Sequence, residues 1–117
     1  MAAKDTLGRR GENLAADYLQ EHGYRLIDRN WRCNQGELDL IVERGGETVF
    51  VEVKTRSSLA FGHPFEAITP VKVARLRRLV AAWCTESEQF VGRVRVDAVA
   101  VIASGDDVTI EHLEGVG

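Results

Sequence analysis

The sequence has few of the features that mark secreted, membrane-spanning or disulfide-bonded proteins. Its two cysteines, Cys33 and Cys84, lie far apart, and neither has metal-ligand spacing around it. This usage favours reduced thiols in a cytoplasmic protein over a disulfide framework. No apolar run approaches the roughly 20 residues that a transmembrane helix needs. Residues 1–5, MAAKD, do not lead into a signal-peptide core. We therefore expect a cytoplasmic protein without a membrane partner.

Positive charge is also scarce. Fifteen Lys and Arg residues stand against 18 Asp and Glu residues, which gives a net charge of −3. Bulk electrostatics would not hold nucleic acid on such a protein, so a partner of that kind would need a local basic surface. Repeats and low-complexity segments are absent, and a hydrophobic content of 44% is typical of a globular protein. At this length we expect one domain over residues 1–117.

Residues 36–56, GELDLIVERGGETVFVEVKTR, carry the strongest structural signal. The pattern predicts two strands joined at Gly45 and Gly46, because glycines accept the positive φ angles of a tight hairpin turn. Arg44 then faces Glu47, and the register continues outward from the turn. Side chains alternate along a strand, so one face of the hairpin is predicted to be apolar. Its members are Leu38, Leu40, Val42, Val49, Val51 and Val53.

The opposite face of the hairpin carries charge. There Asp39 is predicted to lie opposite Glu52, and Glu37 opposite Lys54. Two carboxylates this close either share a proton or are neutralised by a cation, and Mg²⁺ prefers oxygen ligands of this kind. Lys54 lies on the same face as Glu52 and can reach what the metal holds, so the pattern predicts a phosphodiester-cleaving site. The alternative is an ordinary half-solvated hairpin, in which charged and apolar residues also alternate.

The first helix is predicted from Thr6 to about His22, with Asp5 or Thr6 as its cap. Gly8 and Gly11 weaken a helix relative to alanine, so they indicate close approach to another backbone. Helical spacing gives this helix a core-facing stripe: Leu7, Leu14, Ala15, Tyr18 and Leu19.

Glu12 lies beside that stripe, where a carboxylate could project over the sheet. The alternative is a first-turn acid favoured by the helix dipole. After Lys54, a loop of about a dozen residues precedes the second helix, a length that favours a functional role.

The second helix is predicted to begin after the cap Thr69, with Pro70 in the first position. Its buried stripe consists of Val73, Leu76, Val80 and Trp83. Lys72, Arg75 and Arg78 recur every three residues along another side. A stripe of one sign points to phosphate, although a solvated face is the alternative.

Three further segments complete the predicted fold. Residues 24–32 and 108–112 are predicted strands, and residues 94–103 form the clearest buried strand. Asp97 inside it either supports the metal site or is a hydrogen-bonded structural residue. The order α-β-β-β-α-β-β predicts an α/β fold, a mixed sheet of about five strands flanked by helices.

These residues together resemble the YraN family of small bacterial proteins, a branch of the PD-(D/E)xK nuclease superfamily. The resemblance rests on GRRGENLAADYL in the first helix, GELDLIV and FVEVKTR in the hairpin, and VDAVAV in the later strand. It implies a restriction-endonuclease-like fold, similar to that of archaeal Holliday-junction resolvases. Glu12 matches the helix acid, Asp39 the motif aspartate, and Glu52 with Lys54 the E-x-K pair. Leu38 stands where the superfamily name has proline.

The resemblance implies a metal-dependent endonuclease that hydrolyses phosphodiester bonds in DNA, with branched and single-stranded DNA among the substrates considered. Glu12, Asp39 and Glu52 would bind Mg²⁺ or Mn²⁺, and Lys54 would orient the attacking water and neutralise the scissile phosphate. Glu37 would pair with Lys54 or act outside the ligand set. The expected phosphate contacts are Arg56, Lys72, Arg75 and Arg78, joined by Arg9 and Arg10.

The alternative function is a catalytically silent adaptor that keeps the nuclease fold and binds nucleic acid or protein. The oligomeric state stays open, with a homodimer among the alternatives.

Overall fold

The computed structural model describes residues 3–88 and 91–116, with residues 3–5 as backbone only. The element order matches the predicted α-β-β-β-α-β-β order. The elements are α1 (Ala3–Glu21), β1 (Arg25–Cys33), β2 (Gly36–Arg44), β3 (Glu47–Arg56), a short 3₁₀ helix (Pro64–Ala67), α2 (Pro70–Glu86), β4 (Arg93–Ser104) and β5 (Asp107–Leu113). No helix within the described ranges is long and apolar enough to cross a membrane.

The strands form one mixed sheet in the spatial order β1-β2-β3-β4-β5. The pairing of β3 with β4 is parallel, while the other neighbours pair antiparallel. A parallel pair needs a long crossover connection, and here α2 and the 3₁₀ helix supply it. The predicted apolar stripes of α1 and α2 pack against separate core clusters on the two faces of the sheet.

The central hairpin has the predicted turn and register. Gly45 and Gly46 have φ angles of 61° and 79°, which a type I′ turn requires at both central positions. Arg44 pairs with Glu47, and the ladder continues as far as Leu40 opposite Val51. The turn chemistry and the alternating pattern therefore specify the same register.

The prediction that Leu38 shares a face with Leu40 is wrong. Leu38 is buried in the cluster on the α2 side of the sheet, whereas Leu40 belongs to the α1 side. The ladder between β2 and β3 ends at Leu40 and Val51. In the neighbouring strand β1, Asn30 has a φ angle of 54° at the position between the partners of Leu40 and Leu38. The alternation of β2 is therefore broken between Leu40 and Leu38, opposite this irregular residue of β1.

Helix α1 packs tightly on β3 through one of its two glycines. A Cβ at Gly11 would overlap the Thr55 side chain, so α1 does approach β3 closely there, although the contact is with a side chain and not with the predicted backbone. At Gly8 the prediction is wrong, because no atom lies within 4 Å of an added Cβ. The predicted caps Asp5 and Thr6 are also wrong, since the helix already includes Ala3.

Helix α2 begins as predicted. The Thr69 hydroxyl accepts a hydrogen bond of 3.2 Å from the backbone N–H of Lys72, and Pro70 occupies the first helical position. This cap places Lys72 and the following turn of α2 against the end of the sheet where β2 and β3 separate.

Candidate metal and nucleic-acid site

A cavity of about 460 Å³ lies where β2 and β3 stop pairing, between the first turns of α1 and α2. Gly8 lines it, so the absent Cβ leaves space at the cavity wall. The cavity brings together side chains from four elements that are distant in sequence. Its charged members are Glu12, Glu37, Asp39, Glu52, Lys54, Arg56, Lys72 and Arg75.

Asp39 is held at the point where the hairpin ladder ends. Its Oδ2 accepts a hydrogen bond of 2.9 Å from the backbone N–H of Val53. The side chain thus takes a β3 donor beyond the last ladder pair, and this places its carboxyl group in contact with that of Glu52. Burial, followed by the charge of Glu52 and a hydrogen bond to it, raises the pKa of Asp39 to about 8. The two carboxyl groups therefore share a proton near neutral pH unless a cation takes its place.

Glu52 has an unsatisfied oxygen. Its side chain is 5% exposed, and its Oε2 is the one buried side-chain oxygen or nitrogen without a hydrogen bond in the described ranges. The Nζ of Lys72 lies 3.1 Å from this oxygen and forms an ion pair, but the pair lacks hydrogen-bond geometry. Leaving a buried acceptor without a hydrogen bond costs about 1–3 kcal/mol. Glu52 is therefore a carboxylate with capacity for a further ligand.

Glu12 reaches the cavity from α1. Burial and the charge of Glu37 raise its pKa, while a hydrogen bond from the Asn30 side chain opposes the rise. Within residues 3–88 and 91–116, no three His, Cys, Asp or Glu side chains stand together at metal-binding distances. The structure thus joins Asp39 to Glu52, while the charge of Glu12 also raises the pKa of Asp39 without completing a three-residue metal cluster among the described residues.

This donor set fits a hard divalent cation. Mg²⁺ commonly binds proteins through one or two carboxylates, and water and substrate phosphates fill its other positions. Asp39 and Glu52 provide two adjacent carboxyl groups, one of which has an oxygen without a hydrogen bond. A cage of three protein side chains is not needed for such an ion.

The predicted pair between Glu37 and Lys54 is wrong. Glu37 Oε2 accepts a hydrogen bond of 2.6 Å from Arg32 Nε, because these two residues face each other across β1 and β2. Lys54 is half-buried in the cavity wall, and no described ion pair includes it. Its ammonium group is therefore not committed to a carboxylate of the described chain.

The basic stripe of α2 divides between two surfaces. Lys72 and Arg75 line the cavity, as does Arg56 at the end of β3. Arg78 is exposed beside Gln35, outside the cavity lining. Three residues cover about 300° of an α-helix, so a stripe at this spacing rotates by about 60° per step. By Arg78 the stripe has turned away from the cavity.

Arg9 and Arg10, which were predicted to join the phosphate contacts, also lie outside the cavity lining. Both line a shallow depression on the other side of α1, and Arg10 Nη2 donates a hydrogen bond of 2.8 Å to the Gly105 carbonyl. Arg10 thus ties the first helix to the turn between β4 and β5.

Asp97 forms a second, separate carboxylate centre. It is fully buried, and Arg95 donates two hydrogen bonds of 2.8 Å to its two oxygens. His112 Nε2 lies 2.6 Å from Oδ2, and the Gly115 N–H donates to Oδ1 at 3.0 Å. Burial alone would raise the pKa of Asp97, but the bonds from His112 and Arg95 lower it. Asp97 is thus a hydrogen-bonded structural residue outside the cavity lining.

Two sets of contacts escaped the sequence reasoning. The bonds of Arg95 to Asp97 had a signal, because residues two apart on a strand share a face. The contact of Asn30 with Glu12 and that of Lys72 with Glu52 had none, since each joins elements whose packing the sequence pattern does not specify.

The comparisons with known proteins point to one family. The profile described as "Uncharacterised protein family UPF0102" matches residues 11–101. A UPF0102 protein of Leifsonia xyli subsp. xyli (strain CTCB07) is 56% identical over 117 residues, which cover 99% of both chains. Relatives from Arthrobacter sp. (strain FB24) and Beutenbergia cavernae are 55% and 52% identical, each over 118 residues and the whole of both chains. The matched range includes the whole Asp39–Glu52 hairpin.

Proposed function

Because this chain belongs to the UPF0102 (YraN) family, we propose that it is a Mg²⁺- or Mn²⁺-dependent endonuclease that hydrolyses phosphodiester bonds in DNA. Branched and single-stranded DNA are the substrates to test first. The observation that carries the proposal is the pair of half-buried Asp39 and buried Glu52, whose Oε2 has no hydrogen bond, in a cavity that also holds four basic side chains.

The pair supports this proposal because it is costly in a protein that binds nothing there. Burial and mutual repulsion keep a proton on Asp39, and Glu52 Oε2 has no hydrogen bond. A divalent cation would remove both costs at once, and a phosphate of the substrate would complete its coordination. Groups with strongly shifted pKa values cluster at functional sites for this reason.

In the proposed mechanism, Asp39 and Glu52 hold the metal, and Glu12 acts from α1 across the cavity. The bound ion would supply an activated water molecule and stabilise the negative charge of the transition state. Lys54 orients the attacking water and neutralises the scissile phosphate, a role that its ammonium group can take because no carboxylate among the described side chains pairs with it.

Arg56, Lys72 and Arg75 hold the neighbouring phosphates at the cavity wall. That Arg78 binds a phosphate, outside the cavity, stays a prediction. A net charge of −3 makes such local contacts necessary.

A second candidate function is the catalytically silent adaptor. Lys72 pairs with Glu52 at 3.1 Å, so a protein that never binds metal would still have a partial counterion at this carboxylate. This function predicts binding of nucleic acid or protein without any requirement for a divalent cation.

Calorimetric titration with Mn²⁺ separates the two functions. We expect the parent protein to bind Mn²⁺ and Asp39→Asn to lose that binding. Glu43→Gln is a matched control, since Glu43 lies on the same strand outside the cavity and pairs with Arg25 at 3.8 Å. Its binding should equal that of the parent. A parent protein that binds no Mn²⁺ would favour the adaptor.

A cleavage assay then identifies the substrate. Linear, single-stranded, flapped and four-way DNA are incubated with the parent and with Asp39→Asn in Mg²⁺ or Mn²⁺. Cleavage of at least one of them by the parent alone is the expected result. Equal cleavage by both proteins would assign the activity to a contaminant and count against the proposal.

A further inference from the structure

The ion pair between Lys72 and Glu52 differs in geometry from the ion pair between Arg95 and Asp97. Lys72 Nζ lies 3.1 Å from Glu52 Oε2, with the Lys72 side chain 28% exposed and that of Glu52 5% exposed. The same oxygen nevertheless has no hydrogen bond. By contrast, Arg95 donates two well-formed hydrogen bonds to Asp97. Lys72 thus supplies charge to Glu52 without satisfying its oxygen.

Such a contact is easily exchanged. Charged pairs with aligned hydrogen bonds are the strong ones, and this pair lacks that alignment. Lysine carries a compact charge on a flexible stem of four carbons, so its ammonium group can move while the helix stays in place. The backbone of Lys72 is fixed by the Thr69 cap at the start of α2.

We infer that Lys72 is a displaceable counterion of Glu52: it stands beside the oxygen that a divalent cation would bind, and it exchanges to a substrate phosphate when the cation arrives. The inference rests on the proposed function, because it requires metal at Glu52 and phosphate in the cavity. Without metal, Lys72 offsets part of the charge of the carboxyl pair. With metal, the displaced ammonium group becomes available to DNA.

Two consequences follow from this exchange. Lys72 competes with the cation, so it weakens metal binding in the absence of DNA. Metal binding and phosphate binding also strengthen each other, since each favours the state in which Lys72 has left Glu52, and such coupling is reciprocal.

Arg75 provides the matched control. It lies one turn further along α2, lines the same cavity and carries the same charge, but it forms no described ion pair with Glu52. Removing Arg75 therefore changes the general electrostatic field of the cavity without removing a competitor of the metal.

The first test is Mn²⁺ calorimetry on the parent, Lys72→Met and Arg75→Met. We expect Lys72→Met to bind Mn²⁺ roughly fivefold more tightly or better, the lower range of typical coupling between sites. Arg75→Met should differ from the parent by less than about twofold. Equal gains in both variants, or no gain in Lys72→Met, would overturn the inference while leaving metal binding intact. If no protein binds Mn²⁺, the proposed function fails together with the inference.

The second test measures binding of a phosphorothioate DNA oligonucleotide with and without Mn²⁺. The parent should gain more affinity from Mn²⁺ than Lys72→Met does, because the variant has no ammonium group to release. An equal gain in affinity in the two proteins would overturn the claim that Lys72 moves from Glu52 to a DNA phosphate. Thermal unfolding in chelator first checks that each variant is folded. If Lys72→Met does not fold, Lys72→Gln takes its place.

Discussion

Asp97 and Asp39 lie in the same sheet, Asp97 fully buried and Asp39 half-buried, yet their surroundings are opposite. Asp97 accepts hydrogen bonds from Arg95 and the Gly115 N–H, contacts His112, and has a lowered pKa. Asp39 accepts one backbone hydrogen bond, lies against a second carboxyl group and has a pKa of about 8. One aspartate is fully satisfied by the protein, and the other is held in a state that an external cation would improve.

This difference distinguishes an acid that stabilises the fold from an acid in a site that could bind a ligand. A buried acid whose hydrogen bonds are all made within the chain stabilises the fold around it. A buried acid that repels its neighbour inside an open cavity lowers stability, a pattern typical of sites that bind ligands or perform chemistry. Both residues lie in strands that the sequence predicts, so the surroundings rather than the strand decide the role.

Replacing Asp97 should have the largest effect on stability. Asp97→Asn leaves the partly buried guanidinium of Arg95 without its charge partner, and breaking such a pair costs roughly 3–5 kcal/mol. We expect a large fall in the urea midpoint, with Mn²⁺ binding retained where the variant is folded. A loss below about 1 kcal/mol would show that Asp97 is not the support described above.

Replacing Lys54 should affect the reaction far more than the fold. If Lys54 stabilises the transition state, Lys54→Ala should slow cleavage roughly a hundredfold or more, since one well-placed electrostatic contact is worth about 3 kcal/mol. Stability should change by less than about 1 kcal/mol, because Lys54 is half-buried and unpaired. Cleavage within about threefold of the parental rate, on a substrate that the parent cleaves, would contradict the catalytic role.

Replacing Asp39 should change the free energy of unfolding with a sign opposite to that at Asp97. The pKa of Asp39 is raised in the folded protein, so the folded state keeps a proton that the unfolded chain releases above about pH 4. Stability from this proton is complete below that pH and is lost as the pH rises through about 8. Asp39→Asn cannot ionise and should escape this loss.

We therefore expect Asp39→Asn, in chelator at pH 9, to exceed the parent in free energy of unfolding by at least about 1.4 kcal/mol, the equivalent of one pKa unit. The variant should also lose the stabilisation that Mn²⁺ gives the parent. Thermal unfolding of both proteins from pH 5 to pH 9 measures the difference. If Asp39→Asn melts below the parent at pH 9 in chelator, Asp39 is a structural residue like Asp97.

The sequence predicted the hairpin because its determinants are local. Two glycines accept the turn angles, and strict alternation outward from them sets the register from Arg44 opposite Glu47 to Leu40 opposite Val51. The same local logic predicted the buried stripes of α1 and α2, since helical periodicity alone decides which side chains share a face. The charged face of the hairpin singled out Asp39, Glu52 and Lys54, the family resemblance matched them to a motif, and the cavity contains all three.

Local patterns failed where two elements meet. Alternation put Leu38 on the face of Leu40, but the ladder ends between them and Leu38 packs towards α2. The hairpin pattern paired Glu37 with Lys54, but Glu37 pairs instead with Arg32, which faces it across β1 and β2. The spacing of the α2 stripe grouped Arg78 with Lys72, although helical rotation carries Arg78 away from the cavity.

By itself, then, the sequence determined the elements, the hairpin register and the residue types that could bind a cation. The tertiary structure alone decided that Lys72 reaches Glu52, that the charge of Glu12 acts on Asp39, and that Asp97 is satisfied while Asp39 is not. The physical reason is that periodicity acts over a few residues of backbone. The pKa and partners of a buried acid depend instead on groups brought within a few ångströms by the packing of distant elements.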